Sequence, residues 1–311
     1  SYKNGCSTPV SSADPLAVTP APVPSAGPLA TSPPPLAPPS QAARKLGRYL
    51  LLVAVAAVVL FPIYMLVVTS LLTTAQIASR PPYLFPTSPQ WGDYSKAFSV
   101  GDLGVYMRNS AIQASAITVG VVLTSVLAAY AFSFVVFPLR RLLFGLTLAS
   151  LMVPAEVTII PNYQTVANFG WLNTYPALVV PFLASGIGIF LFRQAFFGLP
   201  GELRDAARLD GLGHFKFLAR VVVPLSLPMI GAFAVFSFLG AWNQYLWPLL
   251  VTRTSTVETV QIGLRQLVGT TFSDIGVRAA GTVLAALPIL VVLVVFQKSL
   301  VRGLTSGAVK G

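Results

Sequence analysis

The segment Pro200–Arg220 concentrates the residues best suited to recognising another surface. Pro200 and Gly201 open it, with Glu202 and Asp205 three residues apart, Ala206-Ala207 next, and Asp210-Gly211 closing the run. Proline is pre-organised for a helix start, and acids near that end meet its partial positive charge. Gly211 is placed to stop the helix, since glycine tolerates the left-handed conformation such stops use. Paired alanines leave a shallow face that another surface can approach, with Leu203 and Leu209 as apolar anchors. A second short helical stretch follows, with Phe215, Leu218 and Phe217 as its apolar contacts. The chemistry on offer is docking, although spacing alone is equally consistent with a self-contained hairpin. A second set, Trp242, Asn243, Gln244 and Tyr245, places amides and aromatic faces inside an apolar block. Such residues suit either a polar path or bonding between helices.

The inventory excludes much else. One cysteine (Cys6) and one histidine (His214) rule out an internal disulfide and a Cys/His metal cage. No Gly-x4-Gly-Lys-Ser/Thr run is present, so no phosphate loop is visible and no cofactor is expected to bind directly. The apolar blocks hold no paired aspartates, no serine with a base and no histidine ligands, which argues against an intramembrane enzyme. Of 311 residues, 55% are hydrophobic and 9% charged, and the mean hydropathy is +0.75. A soluble domain carries about 25% charged residues, so this chain lacks the charge to cover a globular surface.

The elements that must position these residues are apolar blocks of spanning length, since a bilayer core takes about 20 apolar residues as helix. Six are read: about 49–72, 111–137, 142–161 with a break at Pro154, 175–197, 221–251 and 279–300. Blocks of this length imply helices rather than barrel strands. The expected fold is therefore an all-α membrane protein with six transmembrane helices. Residues 1–43 form a Pro/Ala/Ser-rich tail without a core pattern, residues 44–302 the membrane domain with the loop at about 198–220, and residues 303–311 a C-terminal tail.

With the N-terminus placed in the cytoplasm, 14 of the 20 Lys and Arg fall on that side and 6 on the other. This bias predicts a cytoplasmic membrane protein with both termini on the cytoplasmic side. It also accounts for the net charge of +11 without nucleic acid. The second block carries Gln113, Ser115, Thr118, Thr124, Ser125, Tyr130 and Ser133. These read as bonds between helices or as a translocation path. Glu156, between Pro154 and Pro161, reads as a solvated acid at a bent helix end or as a proton-coupling carboxylate.

The 200–224 segment resembles the EAA loop of permease subunits from binding-protein-dependent ABC importers. That pattern is Glu-Ala-Ala, three residues, Gly, nine residues, Ile, one residue, Leu-Pro. Here Asp205-Ala206-Ala207 are followed after three residues by Gly211, after nine more by Val221, and then by Val223-Pro224. The departures, Asp for Glu and Val for Ile and Leu, are chemically close. Over about residues 44–311, Asn109-Ser110, Ala128-Ala129-Tyr130-Ala131-Phe132, Leu209-Asp210-Gly211, Trp242-Asn243 and Pro248-Leu249 are similar to the carbohydrate-importer branch. The end, Gly303 to Gly311, resembles the tail of the maltose-importer-like second permease.

The resemblance implies a type I importer permease with a cytoplasmic EAA coupling helix between helices 4 and 5. It implies a second permease as heterodimer partner, two ATPase subunits that use the ATP, an extracytoplasmic substrate-binding protein and a bacterial or archaeal inner membrane. Glu202, Asp205, Ala206, Ala207, Asp210, Gly211 and Pro224 would dock the ATPase, Pro224 redirecting the chain into the fifth helix. Gly307 to Gly311, with charged Lys310, would reach the ATPase interface. Trp242, Asn243 and Tyr245 are candidates for the path, with core packing as the other reading of Trp242. The implied cargo is a sugar or glycerol 3-phosphate. The absence of a basic residue within the middle of any block favours the neutral sugar. An ion-gradient-driven transporter is the other reading, and would call for ionisable residues inside the membrane.

Overall fold

The computed structural model describes residues 41–99, 102–267 and 275–305. The tail at 1–40 with Cys6, and Gly307 and Lys310, lie outside the described residues. Ser1–Val55 and Ala56–Gly311 form two units. The described part of the first belongs to helix α1 (Gln41–Thr69), which begins inside the stretch read as tail. Between Lys45 and Tyr64 all of its side chains are exposed, a helix whose surface suits lipid.

The second unit is built around α4 (Leu103–Phe134). Against it pack α8 (Gly186–Phe197), α11 (Val223–Trp242) and, at one end, α3 (Gly92–Ser99) and α13 (Val260–Gln266); α14 (Ile275–Thr305) packs on α11 and α3. Four described helices are long and apolar enough to cross a membrane, and the number reaches six when each of two bent pairs counts as one span. Backbone groups in hydrocarbon must be satisfied internally, which helices do within one segment.

Two of the six blocks are not single rods. The block at 142–161 is α5 (Arg140–Ser150) followed by α6 (Ala155–Asn168), bent by 100°. Pro154 caps α6, and Glu156 sits exposed in its first turn, where an acid meets the helix dipole. The block at 175–197 is α7 (Tyr175–Val179) with a 3₁₀ turn, then α8, bent by 46°. Ser185 caps α8 by accepting from the Gly188 N–H at 3.1 Å.

Polar side chains on α4 are used for packing. Asn109 is fully buried; its Nδ2 donates to the carbonyls of Ser255 (3.0 Å) and Glu258 (2.9 Å), and its Oδ1 accepts from the Tyr175 hydroxyl (2.8 Å). Ser110 Oγ accepts from the Val260 N–H. Thr118 and Ser133 bond backbone carbonyls one turn back on α4, and Thr124 bonds the Leu183 carbonyl. Buried polar groups need such partners; Asn109 and Ser110 tie α4 to the loop at 255–260 and Thr124 ties it to the bend at 183, whereas the buried Ser125 hydroxyl has no partner among the described residues.

Candidate functional site

The knob predicted at 200–220 is formed by α9 (Gly201–Leu209) and the single turn α10 (His214–Phe217). Pro200 caps α9, and Glu202 lies in its first turn with Arg208 in its last, the order the helix dipole favours. Gly211 ends the helix at φ +70°. Its N–H donates to the Arg208 carbonyl at 3.1 Å, and the Leu212 N–H donates to the Ala207 carbonyl at 2.9 Å. This pair of bonds around a left-handed glycine is a Schellman stop.

α9 has two unlike faces. Glu202, Asp205, Ala206, Leu209 and Asp210 are exposed, Leu209 at 90% and the nearby Phe215 at 81%. Ala207, by contrast, is 5% exposed and belongs to the cluster that includes Tyr130, Phe196, Phe217, Leu218 and Phe233. The two alanines therefore do not share one docking face. Ala207 seats the helix on the bundle, and Ala206 remains available to a partner.

The knob is fastened to the end of α4. Tyr130 Oη and His214 Nδ1 are 2.9 Å apart, and the two rings meet edge-on with centroids 5.9 Å apart. Phe217 stands edge-on to Phe134 at 5.5 Å. Beside these contacts a cleft of about 250 Å³ is lined by Tyr130, Arg204, Arg208 and His214. The Tyr130–His214 contact escaped sequence reading, since each residue stands in its own segment without a motif.

Pro224 does not redirect the chain. The turn lies at Gly211–Gly213, and from His214 to Trp242 the chain runs on as one candidate span. Just before Pro224 the helix widens to a π-turn at Leu218–Val222, with the Val223 N–H donating to the Leu218 carbonyl. Proline has no N–H to give the preceding turn, and a π-turn is the register change that absorbs such a gap.

At the far end of α11 the helix breaks. Asn243 to Tyr245 separate it from α12 (Leu246–Val251). Trp242 is turned into the core at 2% exposure, its Nε1 donating to the Ala285 carbonyl (3.2 Å) and its ring stacked on Phe238. The structure therefore places Trp242 in packing, away from any exposed path. Gln244 accepts from Gln113 Nε2 at 2.8 Å. Asn243 and Tyr245 are exposed. Gln261 Nε2 donates to Asn243 Oδ1 at 3.3 Å, and Arg265 Nη1 donates to Tyr245 Oη at 2.8 Å. Gln261 and Arg265 escape sequence reading because the short helix α13 lies outside the six apolar blocks; buried Val260, Ile262 and Gly263 among polar neighbours are the available signal.

Comparison with known proteins follows the same outline. The family described as binding-protein-dependent transport system inner membrane component matches residues 105–306. The sn-glycerol-3-phosphate transport system permease protein UgpE of Yersinia pestis bv. Antiqua (strain Antiqua) is 37% identical over 264 residues, covering 82% of this chain and 94% of its own length. UgpE of Rhizobium meliloti (strain 1021) is 39% identical over 271 residues, covering 83% and 95%. A crystal structure of a bacterial ABC transporter involved in the import of the acidic polysaccharide alginate superposes with a TM-score of 0.76 at 21% identity, over 85% of this chain and 99% of that one. At that identity the likeness concerns the fold: a type I importer permease.

Proposed function

This chain belongs to the family of inner membrane components of binding-protein-dependent transport systems, and on that footing we propose that it forms half of the pore of an ATP-driven importer for sugars or sugar-like polyols such as glycerol 3-phosphate. It would pair with a second permease, stand on two ATPase subunits, and receive cargo from an extracytoplasmic binding protein. It would have no catalytic site of its own, and ATP would be spent by the partners. Both termini would lie in the cytoplasm, in keeping with the 14-to-6 distribution of Lys and Arg.

The observation that carries the reading is the knob. A short helix stopped by Gly211 displays Glu202, Asp205, Ala206, Leu209 and Asp210 outward, while Ala207, His214 and Phe217 fasten it to α4. Exposed Leu209, which lies before the candidate span that opens at His214, suits a protein cleft better than water. In this scheme Glu202, Asp205, Ala206 and Asp210 face the ATPase, Ala207 seats the helix, and Gly211 ends it. Pro224 sets the π-turn that joins the knob to α11, and the tail with Gly307 and Lys310 reaches the ATPase interface. Asn243 and Tyr245 line the path.

Purification of the tagged chain in mild detergent, expressed with its neighbouring genes, tests the proposal. Recovery of an ATPase and a second permease, with ATPase activity stimulated by a binding protein, is the expected result. A solitary chain or homo-oligomer with no ATPase sinks it and leaves the ion-driven transporter in its place.

A further inference from the structure

The break between α11 and α12 is the second place where the chain departs from a simple span. Gln113, which holds Gln244, lies 17 residues along α4 from Tyr130, a rise of about 25 Å. The break also interrupts the apolar block 221–251, so that apolar chain, α11 before it and α12 after it, flanks it on both sides. Non-helical backbone at membrane depth is tolerated where protein buries it or where it lines a watery cavity. Discontinuous helices supply substrate sites in membrane transporters for this reason.

The side chains gathered at the break are exposed and polar: Asn243, Tyr245, Arg265 and, partly exposed, Gln261. A guanidinium and two amides facing lipid would be unfavourable. Their internal bonds leave most of their capacity unused. Arg265 gives one N–H to Tyr245 Oη and has five to offer. Tyr245 accepts that bond and keeps its own O–H. Asn243 Nδ2 gives one N–H to the Leu239 carbonyl and keeps the other. Gln261 spends its amide nitrogen on Asn243 and on the Trp242 carbonyl, and its carbonyl oxygen accepts nothing among the described residues. Glu258, on the approach to α13, is engaged by Gln266 Nε2 at 3.0 Å. Among the described residues Arg265 makes no salt bridge; Lys96–Asp93 is the one present.

What remains is a positive, donor-rich fork beside an aromatic ring, with an amide donor and an amide acceptor next to it. We propose that Asn243, Tyr245, Gln261 and Arg265 form a cargo site in this subunit that takes an anionic polyol, with Arg265 on the phosphate or carboxylate and the two amides on hydroxyls. The proposal rests on the importer reading and narrows its cargo. It reverses the preference for a neutral sugar, which rested on the lack of a basic residue inside a helix block. Arg265 reaches the path from the following helix instead. A guanidinium suits this task because it meets two anionic oxygens at once and keeps its charge.

The test uses the whole complex of permeases and ATPases in lipid nanodiscs, without binding protein, and equilibrium dialysis of radiolabelled sn-glycerol 3-phosphate in the presence of a non-hydrolysable ATP analogue. Glycerol and inorganic phosphate serve as the two half-ligands. Wild type should bind sn-glycerol 3-phosphate more tightly than either half. Arg265→Gln should weaken that binding by about 10- to 100-fold, as loss of a charge-assisted bond does. Arg265→Lys should recover part of it, and Tyr245→Phe should lose about 3- to 10-fold. All variants should carry the second permease in wild-type ratio. Unchanged binding in Arg265→Gln, wild-type preference for glycerol, or no wild-type binding overturns the site while leaving the importer assembly intact. Loss of the second permease from Arg265→Gln overturns it differently, as a contact between subunits. Absence of any ATPase from the purified complex is instead the failure of the importer reading.

Discussion

Gly211 offers the sharpest test of the knob, because the structure separates backbone strain from steric room. Its φ is +70°, a region that costs an L-residue about 1–2 kcal/mol. A Cβ built at this position meets nothing within 4 Å. Gly211→Ala should therefore carry the conformational penalty alone, about 5- to 30-fold in the population of the closed knob. Gly211→Asn should lose less, since asparagine visits this region more readily. Gly211→Pro is a different perturbation: proline holds φ near −65° and has no N–H. It loses the bond to the Arg208 carbonyl and displaces the Leu212 bond to Ala207, together about 1–3 kcal/mol on top of a dihedral it cannot adopt. Affinity of the isolated ATPase subunit for the permease pair in nanodiscs, read by biolayer interferometry, should fall in the order Gly, Asn, Ala, Pro. The loss should be about 5- to 30-fold for Ala and beyond 100-fold for Pro, with the second permease retained throughout. An alanine variant as damaged as the proline variant would refute the reasoning, because no clash exists to explain it. Wild-type affinity in all three would separate docking from the Schellman stop altogether.

Three further outcomes follow from the same geometry. Ala207→Leu should lower the melting midpoint of the purified permease, since overpacking a filled site costs about 1–3 kcal/mol, whereas exposed Ala206→Leu should leave the midpoint unchanged and weaken ATPase docking; equal behaviour of the two would contradict the two-faced helix. Tyr130→Phe removes the bond to His214 and should cost about 0.5–1.5 kcal/mol, visible as faster hydrogen exchange across residues 211–217, and unchanged exchange would show the bond to be idle. Asn173, at φ +61°, accepts at Oδ1 from the backbone N–H groups of Arg253 and Thr254; Asn173→Gly keeps the dihedral but drops these bonds and should speed exchange at Arg253 and Thr254, while no change there would rule out the latch.

Legibility in the sequence followed the range of the interaction. Span positions and the Gly211 stop depend on residues a few places apart, and both are readable. Pro154 marks a break, but a proline removes one N–H and restricts its predecessor without setting the direction of the next helix, so the 100° angle between α5 and α6 could not be read from it. Pro224 was misread for a related reason, since a proline preceded by a π-turn lets the helix continue. The partners of Asn109, at Ser255 and Glu258, lie about 150 residues away in the chain, beyond any local pattern. Trp242 and Tyr245 are three residues apart, yet one is buried and the other exposed. Where the helix unwinds, the 3.6-residue period that would predict their faces no longer holds.

The same unwinding bears on how the two ends of the molecule communicate. α4 holds the knob through Tyr130 and, at its other end, the break through Gln113 and the 255–260 loop through Asn109 and Ser110. α11 runs beside it, entered through the π-turn at 218–222 and left through the break at 243–245. Along α4 each turn is bonded to the next, and α11 lacks one such donor, at Pro228, so bending either elsewhere means breaking several bonds together. At the π-turn and at the break the ladder is already shifted or interrupted, and a displaced knob meets its least resistance there. In the importer proposed above, force applied to Glu202, Asp205 and Ala206 would pass along these rods and be taken up chiefly at the two irregular segments. One of those segments carries Asn243 and Tyr245. Stiffening the break by restoring a continuous helix should then uncouple ATP hydrolysis from transport without touching the docking face.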